Sequence, residues 1–175
     1  YRTTYDVIRG YDGTAEVLVR AIDKSLNQIA RLISFEVDTQ APRFSNISSM
    51  VISNPENSKY AKAGATVLIT FEASEALRSD PVVTVNNNTA NREDGLWYRA
   101  YTYRYSVTGD DTDGQARIII NGYDLASNYG EYATSSLLES FEIDRVNPTV
   151  VIATPTTVGE YISNPGNFAT NANPD

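Results

Sequence analysis

The chemistry open to this chain is oxygen chemistry, because the sequence contains neither cysteine nor histidine. Disulfides, thiolate nucleophiles, imidazole acid/base catalysis and metal sites built on sulfur or imidazole are therefore excluded. The ligands that remain are carboxylates, hydroxyls and amides, which suit a hard cation better than a transition metal. Calcium is therefore the metal to consider as a cofactor.

The densest acidic segment is the loop 109–114, which contains Asp110, Asp111 and Asp113. Its spacing is not that of an EF-hand, since the glutamate expected six residues after the glycine is replaced by Ile120. The corresponding earlier segment, residues 9–13, carries a single acid. The three aspartates are therefore either a solvated turn or a cation site, and we favour the turn.

Carboxylate pairs such as Glu72 with Glu75 have the residue types that glycoside hydrolysis needs, namely two acids facing each other across a cleft. A β-domain of about 100 residues offers little cleft, and a catalytic residue has no reason to recur in repeated units. The sequence therefore predicts a protein that is not an enzyme.

The charge balance limits the partners. Lys and Arg number 14 against 22 Asp and Glu, a net charge of −8, which repels phosphate backbones and anionic membrane surfaces. No apolar run approaches the roughly 18 residues that a spanning helix needs. We therefore expect no nucleic-acid partner and no membrane insertion in this fragment, with any export signal or anchor lying outside it.

An internal repeat organises the chain, with offsets that grow from 100 to 110 residues as loops lengthen. The clearest matches pair Gly13, Ala15, Val17, Val19 and Asp23 with Gly114, Ala116, Ile118, Ile120 and Asp124, then Phe35, Val37 and Asp38 with Phe141, Ile143 and Asp144, and Ile52–Pro55 with Ile162–Pro165. These offsets predict three segments: residues 1–37 as the C-terminal part of one repeat, 38–144 as a complete repeat, and 145–175 as the N-terminal part of the next.

Alternation of apolar and polar residues with period two predicts that each repeat is built from strands. The clearest runs are Val67, Ile69 and Phe71, and Ala116, Ile118 and Ile120. Asp-Gly dipeptides between such runs are typical of tight turns. The predicted class is all-β, and six or seven short strands in about 100 residues favour an immunoglobulin-like β-sandwich over a closed barrel.

Two short motifs carry a family resemblance. The segments 23–27 (DKSLN) and 124–128 (DLASN) resemble the Asp-x-Ala-Gly-Asn turn that precedes the last strand in bacterial immunoglobulin-like repeats of large surface proteins, adhesins and surface-layer proteins. The junction 37–42 (VDTQAP), its weaker match 143–148, and the Phe71–Ala76 segment are also similar to that family. Leu26 and Ser127 stand where the family has glycine. The resemblance implies a tandem array of sandwiches on a cell surface.

The same fold predicts where the junction acids meet. In a sandwich, the turn before the last strand lies at the end where the chain enters, so Asp38 should approach Asp124 and Asn128, whereas Asp144 should leave at the opposite end. Carboxylate and amide oxygens there could hold Ca²⁺, or the same residues could simply form turns with their own backbone. The candidate junction ligands are Asp38, Asp124, Asn128, Asp23, Asn27 and Asp144.

The predicted function is that of a non-catalytic, extracellular spacer or stalk in a surface protein or adhesin, stiffened between repeats by calcium and by Pro42 and Pro148. Its partners would be the neighbouring repeats of the same chain. Two alternatives stay open: a subunit of a self-assembling fibre or surface layer, and a carbohydrate-binding module of a secreted polysaccharide-active enzyme. The last would use Tyr101, Tyr103 and Tyr105 as a stacking platform, but we favour the interpretation of these tyrosines as ordinary strand residues.

Overall fold

The computed structural model describes residues 2, 4–93 and 99–151. The chain divides into two compact units, Tyr1–Arg145 and Val146–Asp175. In the second unit, residues 146–151 are exposed and lie outside any helix or strand. The remainder of the predicted third repeat, including its match at Ile162–Pro165, lies outside the described residues.

The first unit is all-β, as predicted. Within the described ranges there is no α-helix, and no helix has the length and apolar character needed to cross a membrane. The elements are β1 (Gly13–Ile22), β2 (Gln28–Val37), β3 (Phe44–Val51), a 3-10 turn (Pro55–Asn57), β4 (Tyr60–Ala61), β5 (Thr66–Ala73), β6 (Val82–Val85), β7 (Asn88–Thr89), β8 (Asn91–Arg92), β9 (Ala100–Ser106), β10 (Gly114–Gln115), β11 (Ile118–Tyr123), β12 (Tyr129–Ala133) and β13 (Glu142–Ile143).

Strands β3 to β13 form what we call the body. Its sheets have the strand orders β3-β5-β9-β8, β12-β11-β6-β7 and β10-β13-β4. Neighbouring strands are antiparallel except β13 and β4, which pair in parallel. Antiparallel sheets with a shared apolar core are consistent with the predicted β-sandwich.

The core of the body comes from the alternation seen in the sequence. In β5, Val67, Ile69 and Phe71 are buried while Thr70 is exposed, and in β11 Ile118 and Ile120 are buried. These side chains join those of the other sheets in one apolar cluster. Because both four-stranded sheets contribute to it, burial of this cluster holds the two sheets together.

Strands β1 and β2 form a separate two-stranded sheet, which we call the hairpin. It is paired in register from Gly13 opposite Val37 to Ile22 opposite Gln28. Its side chains are exposed along nearly the whole length of both strands, including apolar ones such as Phe35. The linker, residues 38–43, connects the hairpin to the body.

Candidate functional site

The turn between β11 and β12 is closed by the side chain of Asp124. Its Oδ1 accepts the backbone N–H of Asn128 at 2.8 Å, and its Oδ2 accepts the Asn128 side-chain amide at 2.7 Å. Asp124 is fully buried. Each carboxylate oxygen has two lone pairs, so one acceptor position on each remains beyond these bonds.

The hairpin turn has the same bonding. Asp23 accepts the Asn27 backbone N–H at 2.8 Å through Oδ1 and the Asn27 side-chain amide at 2.8 Å through Oδ2. In both turns the residue before the asparagine is left-handed, with φ of 67° at Leu26 and 75° at Ser127. Both turns therefore adopt the left-handed conformation without glycine, at a cost of about 1 kcal/mol per residue.

The linker brings Asp38 to the turn of the body. The Asn128 side-chain amide, which bonds Asp124, also donates to the backbone carbonyl of Asp38 at 3.1 Å. Carboxylate oxygens of Asp38, Glu75 and Asp124 lie within 4.8 Å of one another. The structure thus brings Asp38, Asp124 and Asn128 together and adds Glu75 to them. We call the three carboxylates the acidic triad.

Glu75 reaches the triad because of how the chain leaves β5. Leu77 forms an isolated antiparallel bridge with Asp124, and the Arg78 N–H donates to the Tyr123 carbonyl at 2.9 Å. The segment after β5 is therefore fixed beside the turn. The prediction of junction ligands missed Glu75, since this contact joins elements some 50 residues apart that only the tertiary fold brings together.

The triad concentrates negative charge. Burial raises the pKa of Glu75, and the charges of Asp38 and Asp124 and a hydrogen bond with Asp38 raise it further, against an opposing bond from Ser74. An ionised carboxylate is disfavoured beside two others. A cation placed among the three oxygens would relieve this repulsion.

The other predicted junction ligands lie outside this triad. Asp23 and Asn27 are exposed and bond each other in the hairpin turn. Asp144 is exposed, and its N–H donates to the Ala61 carbonyl at 2.8 Å. Among the described residues, the acidic triad is the sole group of three carboxylates close enough to share an ion.

The acids of loop 109–114 serve the fold. Buried Asp111 accepts the Tyr105 hydroxyl at 2.5 Å and the Thr108 N–H at 2.6 Å. Burial by itself raises the pKa of Asp111, but the bonds from Tyr105, Thr108 and Asn88 outweigh it and hold that pKa below its usual value.

The two remaining acids of the loop have different surroundings. Asp113 binds Arg145, and Asp110 is exposed with its N–H 3.3 Å from the Thr108 hydroxyl. The sequence favoured a solvated turn here, but Asp111 is buried and bonded inside the body, so this loop is a turn in which only some of the acids meet solvent.

The tyrosine row of β9 faces inward. Tyr103 and Tyr105 are each 3% exposed, and Tyr101 is partly buried beneath Arg92, whose guanidinium carbon lies 5.2 Å from the ring centre. Phe71 stacks on Tyr101 at 5.3 Å and on Tyr103 at 5.8 Å. Burial raises the pKa of Tyr103 to about 12. These rings are used in packing, which weighs against a sugar platform here.

Comparison of the chain with protein-family models, with curated proteins and with solved structures gave no match. The resemblance to bacterial immunoglobulin-like repeats therefore rests on the turn and junction motifs themselves.

Proposed function

We propose that this chain is a non-catalytic structural module: immunoglobulin-like repeats that act as an extracellular spacer in a large surface protein, with Ca²⁺ bound at the joint. The observation that carries the proposal is the acidic triad. It draws one carboxylate from the linker, one from the segment after β5 and one from the β11–β12 turn. An ion held there would tie the linker to two separate parts of the body.

The residues present fit a hard cation. Three carboxylates supply up to six oxygen atoms, and Ca²⁺ takes six to eight oxygen ligands, with water completing the shell. Glu75 is partly exposed and Asp38 exposed, so an ion has access from solvent. Sites of extracellular modules typically have dissociation constants of about 0.1 to 1 mM, and we expect the same range here.

The hairpin supports the repeat interpretation. At the repeat offset, exposed Val17 and Val19 of β1 correspond to buried Ile118 and Ile120 of β11. The turns that follow these strands share their side-chain bonding. The hairpin therefore has the residues expected of the last strands of a sandwich, with the apolar face of that sandwich uncovered.

Calorimetric titration of Ca²⁺ into the chelator-treated chain tests the proposal. We expect saturable binding and a melting temperature that rises with the ion, because a ligand of the folded state stabilises it by mass action. Glu75→Gln and Asp38→Asn should weaken binding at least tenfold. Affinity should also fall as the pH is lowered through the raised pKa of Glu75, since the proton competes with the ion.

The matched control is Glu56→Gln, which removes an exposed carboxylate of the 3-10 turn outside the triad. It should bind Ca²⁺ as the unaltered chain does. Absence of both heat and melting shift would refute the calcium joint, and equal weakening by Glu56→Gln would show binding by general negative charge instead of the triad.

A second candidate function, subunit of a self-assembling fibre or surface layer, is favoured by the hairpin alone. Its apolar side chains are exposed, and no described strand pairs with the outer edge of β1, so this edge could add to a sheet of another molecule. Light scattering after size exclusion at increasing concentration distinguishes the two. Ordered polymers would favour assembly, and a monomer throughout, with and without Ca²⁺, would favour the spacer.

A further inference from the structure

Two Asp-Gly turns of this chain do more than reverse the chain direction. Asp12-Gly13 opens β1 and Asp113-Gly114 opens β10, at the repeat offset of 101 residues. The glycines have closely similar left-handed φ values of 120° and 112°. In each case the aspartate side chain bonds to residues that follow a later strand.

At the first turn, Asp12 holds the start of the linker. Its Oδ1 accepts the backbone N–H of Thr39 at 2.6 Å and the Thr39 hydroxyl at 2.7 Å. Its Oδ2 accepts the side-chain amide of Gln40 at 2.8 Å. The Gly10 N–H adds a bond to the Thr39 hydroxyl at 2.8 Å. The hydrogen bonds from Thr39 and Gln40 lower the pKa of Asp12.

At the second turn, Asp113 makes the matching bond. Its Oδ1 accepts the backbone N–H of Arg145 at 3.1 Å and the Arg145 Nε at 2.8 Å. The Arg145 guanidinium also donates to the Gly109 carbonyl. Thr39 and Arg145 occupy equivalent places, each directly after a junction aspartate, Asp38 or Asp144.

We infer that the aspartate of each Asp-Gly turn is a clamp that binds the backbone N–H of the residue after the junction aspartate and so fixes the direction in which the chain leaves a repeat. The inference rests on the proposed function because it takes residues 1–37 and 38–144 as repeats. The clamp itself does not require bound Ca²⁺. The clamp bonds are made by residues outside the acidic triad.

The first linker is consequently held from both sides. Asp12, in the turn before β1, holds the N–H of Thr39, while Asn128 holds the carbonyl of Asp38 from the body. The two groups held belong to the same peptide unit, the one that joins Asp38 to Thr39. This peptide cannot rotate without breaking one of the two bonds, so the joint keeps a defined angle when calcium is removed.

Amide hydrogen exchange, measured by NMR on the full 175-residue chain in chelator, tests the clamp. Asp12→Ala should speed exchange of the Thr39 amide at least about tenfold, as expected for loss of a hydrogen bond to a charged acceptor, and leave the Arg145 amide unchanged. Asp113→Ala should do the reverse. Asp6→Ala, which removes an exposed acid of the same N-terminal segment, is the matched control and should change neither.

The outcomes separate the clamp from the calcium joint. Unchanged exchange of Thr39 in Asp12→Ala would refute the clamp, whether or not the chain binds Ca²⁺. Should Asp113→Ala unfold the body, the Asp12→Ala result still decides, since Asp12 lies before the hairpin. A change confined to the matching amide, in a chain that binds no Ca²⁺, would support the clamp and refute only the ion.

Discussion

Substitution of Gly130 by alanine should break the contact between the linker and β12. A Cβ at this position would lie 2.1 Å from the carbonyl oxygen of Pro42 and 3.0 Å from its Cγ, whereas ordinary contacts of a Cβ lie at 3.4–4 Å. The two backbones must therefore separate by about 1.3 Å. Strand β12 resists this movement, because Gly130 is buried in it and it is paired with β11 along its length.

The loss of stability in Gly130→Ala depends on the atom that the new Cβ meets, which is a backbone oxygen. Overpacking typically destabilises by about 1 to 3 kcal/mol, and a clash with backbone leaves no side chain to rotate away, so we expect about 2 kcal/mol or more. For a body of roughly 100 residues this lowers the melting temperature by about 8 to 16 °C. Scanning calorimetry in chelator measures it without a contribution from bound ion.

Gly109→Ala is the control for Gly130→Ala. Nothing lies within 4 Å of its added Cβ, and its φ is not left-handed, so the melting temperature should stay within about 2 °C of the unaltered chain. A Gly130→Ala chain that melts with the unaltered one would refute the close approach of Pro42 to β12. Equal loss in both variants would show that the effect does not come from the contact with Pro42.

Three further predictions concern other parts of the body. Asp111→Asn should destabilise the body near neutral pH, because the lowered pKa of Asp111 gives stability that is present above its unfolded-state pKa and lost as the pH falls through the folded value. The free energy of unfolding in urea should therefore depend less on pH between pH 6 and 2 in the variant, and parallel pH dependences would contradict the prediction. Ser127→Gly should stabilise the body by about 0.5 to 1 kcal/mol in thermal melts, because glycine adopts the φ of 75° found at Ser127 without strain. A lower melting temperature would show that loss of the 3.3 Å hydrogen bond from Arg78 to the Ser127 hydroxyl outweighs the relief of strain. Phe71→Ala should lower the free energy of unfolding in urea by about 3 to 5 kcal/mol, since it removes a buried ring packed on two tyrosines. A loss below about 1 kcal/mol would mean that the core is not formed as described.

The strands of the body could be predicted because their faces differ sharply. Val67, Ile69 and Phe71 alternate with polar residues, and the structure buries that row. The tyrosines of β9 carried a weaker signal. A tyrosine is apolar over its ring and polar at its hydroxyl, so alternation gives the parity of a row but not which side faces inward. The hydroxyls of Tyr103 and Tyr105 find partners inside, in the Pro81 carbonyl and Asp111.

The acidic triad could likewise be predicted from the sequence only in part. That Asp38 should meet Asp124 followed from strand order alone, because topology fixes the end of a sandwich at which each turn lies. That Glu75 should join them depends on the path of the segment after β5, which the bridge between Leu77 and Asp124 determines. The bond from the Thr39 N–H to the Asp12 carboxylate could not be predicted either, because an Asp-Gly dipeptide indicates a turn whatever else the aspartate side chain binds.

The parallel pairing of β13 with β4 has a mechanical consequence. The Glu142 N–H bonds the Lys59 carbonyl and the Asp144 N–H bonds the Ala61 carbonyl, both at 2.8 Å, where the chain leaves the body. Tension that reaches β4 through β3 and acts on the exit at Asp144 pulls β4 and β13 past each other along their length. Both bonds are then loaded in shear at the same time, whereas a hairpin pulled from its open end gives way one bond after another. The Lys59 ammonium donates to the carbonyls of Ser49, Leu138 and Ser140 beside these strands. The exit of the body is therefore held against stretching by side-chain as well as backbone hydrogen bonds.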